Sequence, residues 1–314
     1  MRSLRISTAG CPSDYSHGLL PIIAQSLGYK LNWVKPNESD LLILGPFLKQ
    51  DDKKMRWCPK PLRSSVKVAL DLLPSRSHAP LRVFHSAENL RHDIFPADYS
   101  ISYDLNIHSP AHFRLPYWME VIDWSHEGIV GNQNPRYGQL LQLERLMQPL
   151  GNRFLDKPKA AAFLSSHIRE PRKTLFEAVH KVMPTNGFGA HFNKNIKDHH
   201  HSGFLKYELL KDFGFNLCPE NGMYPGYYTE KIPEAFFADC LPITWTDENV
   251  KVDFNPDAFI NLAPMSWCGY SPLYEFLSSP KALQGYASQA LILKAPSILP
   301  FRDFVKRILE DASS

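Results

Sequence analysis

The sequence has 314 residues, of which 44% are hydrophobic and 21% charged, and its formal net charge is +3. This length favours two packed domains over one, and the composition is sufficient for a substantial core. No block of basic residues accompanies the small positive charge, so we exclude a DNA or RNA partner, whereas an anionic small ligand fits the charge.

Short apolar runs alternate with helical patterns from the start of the chain, which predicts β/α units and parallel sheets. In the first half we expect strands at residues 4–7, 41–44, 66–70 and 81–84, and a helix at residues 19–27. Pro and Gly residues within 147–159 predict a hinge. In the second half we expect strands at 160–164, 213–218, 241–245 and 258–262, and helices at 172–182, 204–212, 229–238 and 301–312. Two α/β domains, 1–150 and 151–314, would then face a ligand-binding cleft, with the terminal helix docked across both.

The cysteines and the apolar runs bear on the compartment. The cysteines are odd in number and scattered without a CxxC pair, which is typical of a reducing compartment; they are Cys11, Cys58, Cys218, Cys240 and Cys268. The opening MRSLRISTAG lacks the apolar segment of a signal peptide, and no run of 18 apolar residues follows. We therefore expect a cytoplasmic protein without a transmembrane segment, and we leave a peripheral membrane contact open.

Several common nucleotide and hydrolase motifs are missing from the sequence. It contains no GxGxxG, GxxxxGK[ST], HExxH or GxSxG, and no Asp-x-Asp pair of the kind that holds a nucleotide diphosphate through a metal ion. Three consecutive histidines follow Asp198 in a polar loop, but they cannot all face one ion from regular backbone, so we interpret the run as solvated loop. A bound nucleotide would therefore need other contacts.

The stretch PENGMYPGYYTEKIPEAFFADCLPITW, residues 219–245, offers such contacts. Pro233 is tolerated only near the first turn of a helix, so the helix should begin at about residues 229–231, with Thr229 as its N-cap. Glu230 and Lys231 would then lie at a helix N-terminus, where free N–H groups and the helix dipole favour phosphate. The alternative interpretation is an ordinary capped surface helix after an aromatic loop.

The loop before that helix has its own signals. Gly222 and Gly226 permit a close approach of the backbone to a ligand. Tyr227 and Tyr228 are expected to present ring faces, with their hydroxyl groups at one edge. Together with Glu220 and Asn221 at a strand end, these residues indicate an anion-binding site.

The segment FNLCPENGMYPGYYTEKIPEAFFADCLPITW, residues 215–245, resembles the donor-binding signature of the α-1,3/4-fucosyltransferases. RVFHSAENLRHDIFPADYSISYD with RLPYW, residues 82–104 and 114–118, resembles the acceptor-domain stretch of that family. AAFLSSHIREPRKTLFEAV, residues 161–179, is similar to a third block, in which an Arg opens a helix. The blocks occur in the order and spacing of the family.

The resemblance implies a GT-B architecture, with an N-terminal Rossmann-like domain for the acceptor and a C-terminal one for a GDP-sugar. It implies an inverting transfer of L-fucose from GDP-fucose to a glycan hydroxyl, α-1,3 to N-acetylglucosamine, in glycan biosynthesis such as protein glycosylation or lipopolysaccharide modification. By position, Glu88 matches the general base and Arg172 the diphosphate-binding arginine. The matching donor-binding residues are Asn221, Tyr227, Glu230 and Lys231. It implies no tightly bound cofactor, and we leave a stimulatory Mn²⁺ or Mg²⁺ open.

These residue types suit the reaction, since a single displacement needs a carboxylate for the acceptor proton and positive charge for the departing diphosphate. Glu88 supplies the first, while Arg172 and Lys231 supply the second. Without the resemblance, Glu88 would be a solvated carboxylate and Arg172 a surface charge at a helix start.

Three positions depart from the family pattern: Pro219 replaces Phe, His167 replaces Asn, and Thr246-Asp247 follows the Trp in place of Gly. Because they adjoin the donor site, two alternatives stay open, namely another GDP-linked sugar and a glycan- or nucleotide-binding module without turnover.

Overall fold

The structure is a computed structural model that describes residues 2–48, 79–133, 139–192, 203–265 and 271–314. The strands in these ranges are β1 (Arg2–Ala9), β2 (Tyr29–Trp33), β3 (Leu41–Leu44), β4 (Leu81–His85), β5 (Tyr99–Ser102), β6 (His112–Arg114), β7 (Ala161–Leu164), β8 (Thr185–Phe188), β9 (Phe215–Leu217), β10 (Leu241–Thr244) and β11 (Ile260–Asn261). The helices are α1 (Leu19–Ser26), α2 (Tyr117–Glu120), α3 (Leu143–Leu146), α4 (Asn152–Leu155), α5 (Arg172–Val182), α6 (Gly203–Leu210), α7 (Lys231–Phe237), α8 (Ser271–Ser278), α9 (Pro280–Ala287) and α10 (Leu299–Ala312).

The described chain forms two units, each with a parallel sheet. The first unit comprises Met1–Pro116, Trp124–Asn132 and Ser297–Ser314, and its strand order is β2-β1-β3-β4-β5-β6. β3 lies inside this sheet, and all four of its side chains are buried, which is why its sequence is the uninterrupted apolar run LLIL. Leu42 and Leu44 pack there with Leu48, Phe84 and Phe95.

The second unit comprises Tyr117–Asp123 and Gln133–Pro296. Its strand order is β11-β10-β9-β7-β8, and every pair is parallel. Ala162 from β7 packs with Ala235 and Ala238 around α7, which brings that helix onto the sheet. The boundary predicted at residue 150 lies within this second unit.

Helix α10 belongs to the first unit. Its buried face includes Phe301 and Phe304, whose rings lie 5.2 and 5.3 Å from that of Phe113 between centroids. Asp311 accepts a hydrogen bond from the Tyr99 hydroxyl, and Arg307 donates to the Pro110 carbonyl at 3.0 Å. Burial of each such aromatic side chain contributes about 1.5–3 kcal/mol, so α10 is an integral part of that unit.

The predicted parallel α/β organisation is confirmed, and most predicted elements are found within a few residues of their expected bounds. The strand expected at 66–70 and the loop at 198–201 lie outside the described residues. The elements not predicted from their patterns are the strands β2, β5, β6 and β8 and the helices α2, α3, α4, α8 and α9. No helix in the described ranges is sufficiently long and apolar to cross a membrane.

Candidate active site

The carboxyl ends of β7 and β9 position the residues around Arg172. These strands are parallel neighbours, with Phe163 opposite Leu217, so the loops that follow them leave the sheet at the same edge. Ser165 follows β7, and Asn221 lies a few residues beyond β9. Such an edge is where open parallel sheets bind ligands.

Arg172 is the first residue of α5 and is only 9% exposed. Its Nη1 donates to Ser165 Oγ at 3.1 Å and to His167 Nε2 at 3.0 Å, and its Nη2 donates to Asn221 Oδ1. All three acceptors are neutral groups, and Arg172 forms no ion pair with any residue that the structure describes. The side chain therefore has fixed geometry, but its charge is not cancelled by direct contact.

Burial lowers the pKa of Arg172, while Glu220 and Tyr227 act on it in the opposite direction. A guanidinium starts from so high a pKa that it stays charged in proteins. A buried charge held by neutral acceptors favours a bound anion, and guanidinium groups suit phosphate oxygens in particular. Arg172 is therefore an anion-binding group by its own surroundings.

Glu220 and Lys231 form a second network immediately beside the first. Glu220 is 1% exposed and accepts hydrogen bonds from Thr229 N and Thr229 Oγ1, both at 2.8 Å, and from Lys231 Nζ at 3.1 Å. Lys231 Nζ also donates to Thr229 Oγ1 at 2.7 Å and lies 3.8 Å from Glu230 Oε1. Burial alone lowers the pKa of Lys231, but attraction to Glu220 and Glu230 outweighs burial and raises it.

These contacts distinguish Lys231 from Arg172 in the positive charge that each offers to a ligand. Lys231 is neutralised within the protein by Glu220, whereas the neighbouring Asn221 gives Arg172 only a neutral oxygen. The positive charge that Lys231 is expected to supply to the departing diphosphate is therefore shared with a buried carboxylate. The Lys231 side chain as a whole is 19% exposed.

The prediction that Thr229 is the N-cap of the helix is wrong. Helix α7 begins at Lys231, and Glu230 occupies the cap position with nearly helical dihedral angles, φ −64° and ψ −13°, and without a side-chain cap. The reason is that the Thr229 hydroxyl and amide are both bonded to Glu220. The start within residues 229–231 that Pro233 predicted is confirmed, but the Thr229 amide is not available to a phosphate.

The two tyrosines do not present their ring faces as expected, because Tyr227 is 2% exposed and Tyr228 is fully buried. The Tyr227 hydroxyl accepts from Asn221 Nδ2 at 3.5 Å, while the Tyr228 hydroxyl donates to Asp247 Oδ1 at 3.1 Å. Gly226, which immediately precedes the two tyrosines, has φ +91°, a backbone conformation that favours glycine. Tyr227 thus joins the Arg172 network through Asn221, and Tyr228 fixes the loop to the segment after β10.

Glu88 lies in the first unit, in the loop that follows β4, and its side chain is partly exposed. Its amide donates to Ser86 Oγ at 3.1 Å, and the Ser86 hydroxyl is 3.0 Å from the Glu88 carbonyl. Farther along the loop, the buried Asp104 accepts from the His92 amide at 2.8 Å and from Ser102 Oγ at 2.7 Å. The backbone that carries the Glu88 carboxylate is therefore held at two points.

Sequence reasoning missed the roles of Ser165, His167 and Glu220. The signal for Glu220 was a carboxylate directly after a buried strand, a position where a charge persists only if it is paired. In the described part of the chain, no cluster of three or more His, Cys, Asp or Glu side chains would hold a metal ion. Cys11, Cys218 and Cys240 are free thiols, and the other two cysteines lie outside the described residues.

Replacing Glu220 with Gln should lower the free energy of unfolding by about 2 kcal/mol, because Thr229 and Lys231 lose a charged acceptor in a buried place. Urea unfolding of the variant measures the change. The exposed Glu248 provides the matched control, since Glu248→Gln should change stability by less than about 0.5 kcal/mol. Equal stability of the two variants would contradict the assigned role of Glu220.

Comparison with known proteins adds to this geometry. Residues 154–275 match the family described as glycosyltransferase family 10 (fucosyltransferase), C-terminal part. Over 200 residues, 58% of this chain, the sequence is 29% identical to an alpha-(1,3)-fucosyltransferase, FucT, of Helicobacter pylori. The match spans 40% of the length of that relative.

Two solved structures are similar over nearly the whole chain. A crystal structure of an alpha1,3-fucosyltransferase has a TM-score of 0.67 at 22% identity, covering 98% of this chain and 90% of its own. A crystal structure of an alpha1,3-fucosyltransferase with GDP-fucose has a TM-score of 0.66 at 21% identity, and the match covers 99% of this chain and 91% of that one. The predicted GT-B class, with its two parallel-sheet α/β units, is thereby confirmed. The stretch that carries Arg172, Asn221, Tyr227, Glu230 and Lys231 is therefore similar to the C-terminal part of glycosyltransferase family 10 (fucosyltransferase).

Proposed function

We propose that this protein is an inverting glycosyltransferase that moves L-fucose from GDP-fucose to a hydroxyl group of a glycan acceptor. The observation that carries the proposal is the buried Arg172, held only by neutral acceptors within the family 10 domain. A guanidinium in such surroundings favours a diphosphate, which is the charged part of the donor. The printed names of the Helicobacter pylori relative and of the GDP-fucose complex support this donor and reaction.

In the proposed reaction, Glu88 removes the proton from the acceptor hydroxyl as its oxygen attacks the anomeric carbon of fucose. A new glycosidic C–O bond forms on one face of the sugar while the C–O bond to the β-phosphate breaks on the other. The electron pair of the broken bond leaves with GDP, so the configuration is inverted. No covalent enzyme intermediate is needed, and one carboxylate is sufficient as base.

Positive charge near the departing diphosphate lowers the barrier, because the leaving group gains negative charge in the transition state. Arg172 supplies that charge directly, and Lys231 contributes by dividing its hydrogen bonds between Glu220 and a phosphate oxygen. Glu230 and Asn221 would accept and donate hydrogen bonds to ribose or fucose hydroxyls. A Mn²⁺ or Mg²⁺ ion would assist by neutralising the released diphosphate and is not required to hold the donor.

The alternative is that the donor is a GDP-linked sugar other than GDP-fucose. Pro219 is buried at the end of β9, and the Thr246 amide is fixed to Asn261 Oδ1 at 3.2 Å at the end of the adjacent β10. Both departures from the family pattern thus occur at the edge of the sheet that carries Asn221. They bear on the identity of the donor sugar more than on the type of reaction.

The test is a donor panel combined with acceptor glycans that contain N-acetylglucosamine. With GDP-fucose we expect products that are heavier by one deoxyhexose, α-1,3-linked to N-acetylglucosamine, by mass spectrometry and NMR. If product forms only from GDP-mannose, the donor is another GDP-linked sugar and not GDP-fucose. Tight GDP binding without product from any donor would overturn the enzymatic proposal in favour of a binding module.

A further inference from the structure

His167 lies directly against the guanidinium of Arg172. Its Nε2 is 3.0 Å and its Nδ1 is 3.5 Å from Arg172 Nη1, and the Arg169 amide points at Nδ1 from 3.4 Å. The His167 carbonyl accepts from Ser165 Oγ at 2.6 Å, and the same hydroxyl accepts from Arg172. Residues 165–172 therefore form one closed network around the anion-binding arginine.

The charged groups facing this imidazole are both cations. Arg172 faces it from α5, and Arg169 lies in the turn that precedes the helix. Two carboxylates lie nearby in the described chain. Glu170 accepts a hydrogen bond from Thr174 Oγ1 at 2.8 Å. Glu220 is bonded to Lys231, on the Asn221 side of Arg172. Burial lowers the pKa of His167, and the repulsion of Arg172 and Arg169 lowers it further.

The ring must consequently be neutral before a ligand arrives. It accepts a hydrogen bond from a cation, which only an imidazole with a free lone pair can do. A protonated ring would replace that hydrogen bond with repulsion. The exposed face of the residue nevertheless leaves it accessible to a ligand bound at Arg172.

A diphosphate at Arg172 reverses these conditions. It places at least two negative charges beside the ring, and an opposite charge within about 4–6 Å stabilises the protonated form of a histidine. We infer that His167 is a further diphosphate-binding residue, which takes up a proton when the donor binds and then donates to a phosphate oxygen. This inference rests on the proposed GDP-sugar site.

His167 gains one proton when the diphosphate binds. The proton comes from solvent, the ring changes from neutral to singly positive, and no covalent bond to the diphosphate is formed or broken. Binding then becomes tighter as the pH falls from the pKa of the complex towards the lower pKa of the free protein. Affinity changes by about tenfold for each pH unit that separates the two values.

Isothermal titration calorimetry with GDP at pH 6.5, in buffers of different ionisation enthalpy, measures this proton uptake. The wild-type protein should take up a larger fraction of a proton than the His167→Asn variant, whose amide oxygen still accepts from Arg172 but cannot gain a proton. The proton that GDP itself exchanges is common to both proteins and cancels in the comparison. His180→Asn, at the exposed far end of α5, should behave as the wild type.

Equal proton uptake by the wild type and His167→Asn would overturn the inference while leaving the GDP site intact. Failure of the wild type to bind GDP at all would instead overturn the proposed function. If His167→Asn loses GDP binding, NMR of the His167 ring in the wild type decides the question. A ring pKa that rises when GDP is added supports the inference, and an unchanged one overturns it.

Discussion

Replacing Arg172 with Gln should weaken GDP binding by about 2–5 kcal/mol, the usual cost of removing one member of a buried, hydrogen-bonded charge pair. The glutamine keeps a polar end near Ser165 and Asn221 but brings no charge to the diphosphate. Calorimetry with GDP measures the loss. In transfer assays the same change should reduce kcat as well, because the leaving group gains charge in the transition state.

Two further variants separate charge from geometry at this position. Arg172→Lys should recover only part of the affinity, since an ammonium cannot bond Ser165, His167 and Asn221 together with two phosphate oxygens. The neighbouring Lys173 has a side chain that is 58% exposed, so Lys173→Gln serves as the control and should bind GDP normally. An unchanged dissociation constant in Arg172→Gln would remove Arg172 from the donor site.

Replacing Glu88 with Gln should reduce kcat by about 10²–10⁴-fold while GDP binding stays unchanged, because the amide cannot accept the acceptor proton. The two measurements must be made together: kinetics of fucose transfer, and calorimetry with GDP. Asp93 in the same segment is exposed, so Asp93→Asn is expected to retain normal turnover. Near-normal turnover of Glu88→Gln would show that another group acts as the base.

The strands that the sequence predicted are mostly those inside a sheet. β3 and β7 are uninterrupted apolar runs, and β9 is buried throughout although Asn216 lies at its centre. Of the strands not predicted from their patterns, β2, β6 and β8 lie at a sheet edge in the described topology, and each mixes polar with apolar residues. The fourth, β5, lies inside its sheet, but two of its four residues are serines. An edge strand faces solvent on one side, so its composition resembles that of a loop.

In the site, residue types could be predicted, but their partners could not. Arg172 and Asn221 were expected from the family pattern, and the structure brings them into contact. Glu220 is deeply buried. This burial determines that Lys231 bonds to Glu220 and that Thr229 is turned towards the same carboxylate. Burial is set by tertiary packing, which a local pattern around residues 219–231 does not contain.

The position of α10 has a consequence for the order in which the protein is completed during synthesis. Phe113 and Tyr99 belong to the first half of the chain, yet their aromatic partners Phe301 and Phe304 are translated after the whole of the second unit. A ribosome-bound chain can therefore close the second unit while the first still exposes an uncovered aromatic surface. Domains usually fold in the order of their synthesis. Here the first unit can complete its packing only after the second unit has been synthesised, because α10 is translated after it.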